Sequence, residues 1–280
     1  MHQVQPYKGK VIIAGAGPGD PELITIKAMK YLAMADVILS DRLVSPELLE
    51  RYANPAATVV SVGKQCRHGH STPQETINEL LIEHANEGKL VVRLKGGDVS
   101  VFANVLDELS VLTAHQIPFE IIPGITAATG AAAAAGIPLT ARGYATAVRL
   151  LTYYKSDILS DEYWKEIATT DDTLVFYMSA EMLQPLVQQL TRFGIAPSKL
   201  MAVIEQATTP VQHVQVTSLY DLQLHVLPED LISPTLIIVG KVVGLHHQFS
   251  TVKNNGARIP YFRPVRKPLT NQRLNTLNVL

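Results

Sequence analysis

Asp41 closes a short apolar run and stands about where a dinucleotide-binding chain carries the carboxylate that takes the ribose hydroxyls. The same side chain can instead cap a turn, and position alone leaves both readings open. Asp98 offers related chemistry at the end of Arg93-Leu94-Lys95-Gly96-Gly97-Asp98. Paired glycines allow close approach to the backbone, and the acid can accept from hydroxyls or face a cationic group. A tight turn accounts for the same glycines. Pro123-Gly124-Ile125-Thr126-Ala127-Ala128-Thr129 adds another close-approach loop, with hydroxyls at Thr126 and Thr129. Arg42, Lys64 and Arg142 together suit a polycarboxylate, or are solvated surface charges.

The loop Gly15-Ala16-Gly17-Pro18-Gly19-Asp20-Pro21 looks at first like a phosphate cradle. A dinucleotide fingerprint places glycine at its first, third and sixth positions. Here the sixth is Asp20, whose charge repels phosphate. Pro18 and Pro21 each remove a backbone N–H that could have donated to one. The tight turn is kept and the phosphate chemistry is not. Cys66-Arg67-His68-Gly69-His70 crowds metal-ligand types into one short stretch, but no second pair at metal spacing answers it, so a flexible loop and no metal site is the expectation. Neither a Gly-x-Ser-x-Gly elbow nor a Walker loop occurs.

These residues need a scaffold that sets strand ends side by side. Apolar runs at 11–14, 37–39, 59–62, 90–94 and 119–122 read as strands. Between them, 22–35, 46–52, 74–86 and 101–114 read as helices; Ile77, Leu80, Leu81, His84 and Ala85 share one face. The alternation predicts an α/β layer with a mostly parallel sheet, whose ligands sit beyond the carboxyl ends of the strands. Further strands are expected at 148–152, 173–177, 201–203, 211–216 and 235–239. Helices are expected at 127–135, 180–193 and 218–224. The fold expected is two α/β domains, 1–123 and 124–250, with a ligand cleft between them.

Composition narrows the function class. The 280 residues are 47% hydrophobic and 18% charged, ordinary for a soluble globular chain. No apolar stretch is long enough to span a bilayer, and the first ten residues are too polar for a signal peptide. A single cysteine, Cys66, suits a reducing compartment, so a cytoplasmic protein is expected. The net charge of −1 conceals a basic tail: 251–280 holds six basic residues and no acid. With its prolines and weak periodicity, this tail reads as a mobile or surface-draped extension rather than a nucleic-acid arm.

Taken in order, the strings "GAGPGDPELITIKA", "ADVILSDRLVSPELL", "VGK", "QETINELL", "VVRLKGGD", "IPFEIIPGITAATG", "AGIPLTAR", "TLVFYMS" and "PTLIIVGKVVGL" resemble the tetrapyrrole methylase family over residues 10–245. The resemblance implies two α/β domains, S-adenosylmethionine as cofactor and a homodimer. It implies cofactor contacts at Pro18, Gly96, Gly97, Asp98, Val101, Thr126, Ala127, Met178 and Ala207. It places the acid at Lys64 and the base at Asp41, with Arg42 and Arg142 facing the substrate's carboxylates. The branch it most resembles methylates uroporphyrinogen III at two ring carbons, giving precorrin-2 for sirohaem and cobalamin. No nucleic-acid or membrane partner is implied.

The chain also departs from the family pattern. Val99 replaces a proline, and 99–108 lacks the usual glycine-arginine-glycine stretch. Ala141 stands for a histidine, Tyr153-Tyr154 for a glycine-histidine pair, and Ala207 for a glycine. The loop between Lys64 and Gln74 is one residue longer. Two alternatives therefore stand beside the leading reading: a methylase of another corrinoid precursor, and a non-catalytic S-adenosylmethionine-binding homologue.

Overall fold

The computed structural model describes residues 9–65, 70–154, 158–221, 230–251, 254 and 258–262, with backbone alone at 64, 65, 70 and 71. The chain divides into two compact units, the second being Thr126–Tyr261.

The first unit is built on five parallel strands: β1 (Lys10–Gly15), β2 (Val37–Ser40), β3 (Thr58–Ser61), β6 (Leu90–Lys95) and β7 (Phe119–Ile122). Their order is β3-β2-β6-β1-β7. Side chains alternate across a strand, so the run Val11 to Ala14 feeds two cores. Val11, Ile13, Val37, Leu39 and Val91 pack with Ile77, Leu81 and Leu112, from α3 (Gln74–Asn86) and α4 (Leu106–Ala114). Ile12, Ala14, Ile38, Val92 and Leu94 pack on the other face. Their partners are Ala28 and Leu32 of α1 (Ile26–Leu32) and Leu48 of α2 (Pro46–Tyr52). Each of the valine, leucine and isoleucine side chains among them contributes roughly 1.5–3 kcal/mol on burial. Between the second and third helices, β4 (Lys64–Gln65) pairs antiparallel with β5 (His70–Ser71).

Two helices start later than the sequence pattern suggests. The 22–35 segment is a 3-10 turn, Pro21–Leu23, followed by α1 with Thr25 as its cap. The second helix is α4, which begins at Leu106 because Phe102 and Asn104 take φ of 52° and 47°, left-handed values that no helix holds.

The second unit carries a mixed sheet in the order β11-β10-β12-β9-β8. Its strands are β8 (Val148–Thr152), β9 (Thr173–Tyr177), β10 (Leu200–Glu205), β11 (His213–Ser218) and β12 (Thr235–Gly240). Only β8 and β9 run parallel; the remaining neighbours are antiparallel. One face packs on α6 (Asp161–Thr169) and α7 (Leu183–Arg192) through Trp164, Ile167, Leu186 and Leu190. The alanine-rich α5 (Ala127–Ala134) buries Ala128, Ala131 and Ala132 and packs against β12. Helix α6 was not foreseen. The helix expected at 218–224 does not start: Ser218 belongs to β11, and 222–224 lie outside the described residues. No helix among the described residues is long and apolar enough to cross a membrane.

Candidate functional site

In the first unit the strand-end loops are locked to one another. Ala16 N–H donates to the Lys95 carbonyl at 2.7 Å. Gly17 and Gly97 exchange both backbone bonds, at 3.1 and 2.7 Å, with φ of 80° and 70° that only glycine holds without strain. A Cβ on Gly124 would fall 2.2 Å from the Gly97 carbonyl oxygen, so the third loop touches the same point. These glycines let loops approach loops. The open side of Gly96 is likewise filled by Leu43, and that of Gly63 by Arg42.

Asp98 finishes the lock. Its Oδ2 accepts from Gly124 N–H at 2.8 Å, and its Oδ1 accepts from Ser100 N–H at 2.8 Å and from the Ser100 hydroxyl. Burial alone raises the Asp98 carboxyl, but these bonds from Ser100 and Gly124 outweigh it and hold the group below the usual carboxylate range. Pro18 and Val101 are half-buried beside this block. Asp20 caps the following 3-10 turn by accepting from Glu22 N–H at 2.8 Å.

Asp41 follows β2 and meets a network the sequence reading missed. Its Oδ1 accepts from Arg93 Nη2 at 2.6 Å. Arg93 Nε donates to Glu108 Oε1 at 2.9 Å, while Nη1 reaches the carbonyls of Leu39 and Leu94. Lys95 Nζ donates to both Glu108 oxygens, at 3.0 and 2.9 Å. Burial by itself lowers Arg93, yet Asp41 and Glu108 hold its guanidinium above the ordinary arginine range. Burial, and then neighbouring Arg93, pull the Lys95 ammonium below the usual lysine range. The available signal was two charges at alternate positions of the strongly apolar β6. Arg42 is half-buried next to Asp41 in the chain. Lys64 pairs with Ser71 in the β4–β5 ladder, and its side chain lies outside the described residues, as do Cys66–Gly69 of the Cys/His stretch. Among the described residues no cluster of three metal-ligating side chains occurs.

In the second unit Thr126 caps α5, and its hydroxyl lies 2.7 Å from Tyr177 Oη, which also accepts from Ala128 N–H at 2.9 Å. Ala127 opens the helix between them. Tyr177 ends β9, and Met178 follows with φ 53° and 51% of its surface exposed. An exposed methionine in a left-handed turn is not a core filler; such strain collects at ligand-handling loops. The Tyr154 hydroxyl donates to Met178 Sδ at 3.1 Å, whereas Tyr153 packs edge-on against Trp164 in the core. Gln206, after β10, is also left-handed at φ 49°, and Ala207 beside it is buried. The Gln206 side chain donates to the Ile259 carbonyl and accepts from Tyr261 N–H. Arg142 is exposed in the turn bridged by Ala141 and Ala145.

Residues 10–223 match the family described as Tetrapyrrole (Corrin/Porphyrin) Methylases. The chain belongs to this family. It is 43% identical over 252 residues to the siroheme synthase of Nitrosospira multiformis, covering 90% of this chain and 53% of that protein. It is 45% identical over 242 residues to the siroheme synthase of Azotobacter vinelandii, covering 86% and 52%. It thus spans about half the length of these curated relatives. Among solved structures, uroporphyrin-III-C-methyltransferase from Thermus thermophilus superposes with TM-score 0.72 at 37% identity, over 88% of this chain and 98% of that one. Another structure of the Thermus protein is complexed with S-adenosyl homocysteine (TM-score 0.69, 34% identity, 84% and 93% covered). A cobalt precorrin-4 methyltransferase superposes with TM-score 0.74 at 28% identity, over 84% and 95%.

Proposed function

We propose that this chain transfers methyl groups from S-adenosylmethionine to two ring carbons of uroporphyrinogen III in succession, giving precorrin-2 through precorrin-1 for sirohaem or cobalamin synthesis. The observation that carries the reading is the Asp41 carboxylate: Arg93 holds one oxygen at a strand end while 28% of the side chain stays open.

The donor set of the first loop fits a sulfonium cofactor. Ala16 and Gly17 N–H groups are spent on the Lys95 and Gly97 carbonyls, and Pro18 and Pro21 have none to give. The Asp20 carboxylate adds negative charge there, which suits a cation and opposes a phosphate. Pro18, Gly96, Gly97, Asp98, Val101, Thr126, Ala127, Met178 and Ala207 are the residues that the family resemblance assigns to hold it. S-adenosylmethionine, when bound, supplies a methyl group that is already activated.

The protein's own task is then placement and proton removal. Holding a pyrrole carbon in line with a methyl donor is worth up to roughly 7–11 kcal/mol. Asp41, through the oxygen not engaged by Arg93, takes the proton released as the ring carbon is methylated. Lys64 serves as the acid, and Arg42 and Arg142 neutralise substrate carboxylates. A cytoplasmic homodimer acting on this small molecule completes the reading.

A later corrinoid precursor is the second reading, favoured by the left-handed Phe102 and Asn104 in a segment that departs from the family pattern. Mass spectrometry of anaerobic incubations with S-adenosylmethionine separates the two. Addition of two methyl groups to uroporphyrinogen III is the expected result. Methylation of a later precorrin alone favours the second reading. Binding of S-adenosylhomocysteine with no methylation of either would overturn both.

A further inference from the structure

Glu108 is fully buried, yet it sits in the first turn of α4 and accepts from two cations of β6. Side-chain exposure runs 0% for Glu108, 3% for Arg93, 4% for Lys95 and 28% for Asp41. The buried chain of charges thus has a single outlet, Asp41. Three ions withdrawn from water form a poor device for stability alone, since apolar packing of the same volume usually does as well or better.

The guanidinium has little freedom. Its Nε is taken by Glu108, its Nη1 by the Leu39 and Leu94 carbonyls, and only Nη2 reaches Asp41. Glu108 also occupies Lys95, the second cation on the same strand. Without that carboxylate, Arg93 and Lys95 would both be left with Asp41 as the remaining acid of the network, and the fork would lose its Nε contact, keeping only the carbonyl bonds at Nη1. We infer that Glu108 is a positioning residue, which through Arg93 fixes the orientation of the Asp41 carboxylate while keeping Lys95 away from it.

This inference rests on the reading of Asp41 as the base, and a double-mutant cycle separates the two. Methyl transfer to uroporphyrinogen III and calorimetric binding of S-adenosylhomocysteine are measured for wild type, Glu108→Gln, Asp41→Asn and the double variant. Glu108→Gln is expected to lower kcat by roughly 10- to 100-fold, the scale of a displaced catalytic group, with cofactor affinity unchanged. In the Asp41→Asn background it should cost nothing further. Glu108→Asp, which keeps the charge, should recover part of the rate. Losses that multiply in the double variant would overturn the positioning role and leave the base intact. Full activity of Asp41→Asn would overturn both. Should Glu108→Gln fail to fold, Arg93→Lys replaces it in the same cycle, since it keeps the buried charge but not the fork; multiplying losses there would likewise overturn the positioning role.

Discussion

Arg93 Nη2 lies 2.6 Å from Asp41 Oδ1, although the two residues are 52 positions apart in the chain. The contact exists because β2 and β6 are hydrogen-bonded neighbours, with Leu39 in register with Arg93. It converts an acid at a strand end into a carboxylate with one fixed oxygen and one open side. The geometry of methyl transfer proposed above depends on that asymmetry.

Gly124→Ala tests the interlocking of the loops. The added Cβ would lie 2.2 Å from the Gly97 carbonyl oxygen and 2.8 Å from Gly15 Cα, both backbone atoms that cannot step aside. Overpacking of this kind costs about 1–3 kcal/mol or more. Thermal denaturation should show a lowered midpoint, and S-adenosylhomocysteine binding should weaken in parallel. An unchanged midpoint would mean that the loops part easily.

Asp98→Asn probes the same block through its polar clamp. Asparagine keeps one acceptor oxygen, whereas Asp98 uses both, toward Gly124 and Ser100. Hydrogen bonds to charged groups are worth about 1.5–3 kcal/mol, so urea unfolding should register a loss of that order. The native carboxyl is held below its usual range, so its contribution is present at neutral pH and is lost as pH falls through the lowered value. The variant's deficit should therefore shrink in acid.

Glu120 supplies a second pH prediction. Hydrogen bonds from Lys10, Lys27 and Tyr31 lower its carboxyl to about 2. A depressed carboxylate stabilises the fold above its unfolded value near 4.5 and loses that contribution as pH falls toward about 2. Glu120→Gln should flatten the stability curve over this window in denaturant titrations at stepped pH. An acid limb identical to wild type would exclude Glu120 as a contributor.

Much of the architecture was legible because the local period and the final burial agree. Helix α3 carries Ile77, Leu80, Leu81 and Ala85 to the core at helical spacing, and β1 presents alternate residues to two cores. Helix α6 had its signals too: Ser160 as cap, then Trp164, Ile167 and Ala168 on one face, within a strongly charged segment that hides them. The start of α4 was not legible, since left-handed Phe102 and Asn104 look like ordinary helix residues in a one-dimensional pattern. The charge network was half legible. Period-two alternation places Val37, Leu39 and Asp41 on one face, and Val91, Arg93 and Lys95 on one face. That these are the same face, side by side, depends on the strand order β3-β2-β6-β1-β7, which no local pattern contains.

The chain's last stretch divides into parts with different expected roles. Arg258 Nη2 lies 2.9 Å from buried Glu205, and Asn254 exchanges hydrogen bonds with the Val214 backbone at 2.8 and 2.9 Å. A chain ending at Ser250 loses these and should be destabilised by about 1–3 kcal/mol, the cost of leaving buried groups under-satisfied. We propose that 263–280 is dispensable, so a chain ending at Phe262 should melt with wild type. Equal melting of all three chains would refute the docking of Arg258, and a deficit in the longer truncate would refute dispensability.

The most direct measurement is single-turnover methyl transfer from S-adenosylmethionine to anaerobic uroporphyrinogen III by wild type and Asp41→Asn, with S-adenosylhomocysteine affinity measured on both. Asparagine keeps size and hydrogen bonding and cannot take a proton. If Asp41 is the base, the variant's rate falls by roughly 10²–10⁴-fold, the usual worth of a positioned base, with cofactor affinity nearly unchanged. A variant that methylates at the wild-type rate, or that loses cofactor affinity in proportion to rate, would contradict that role.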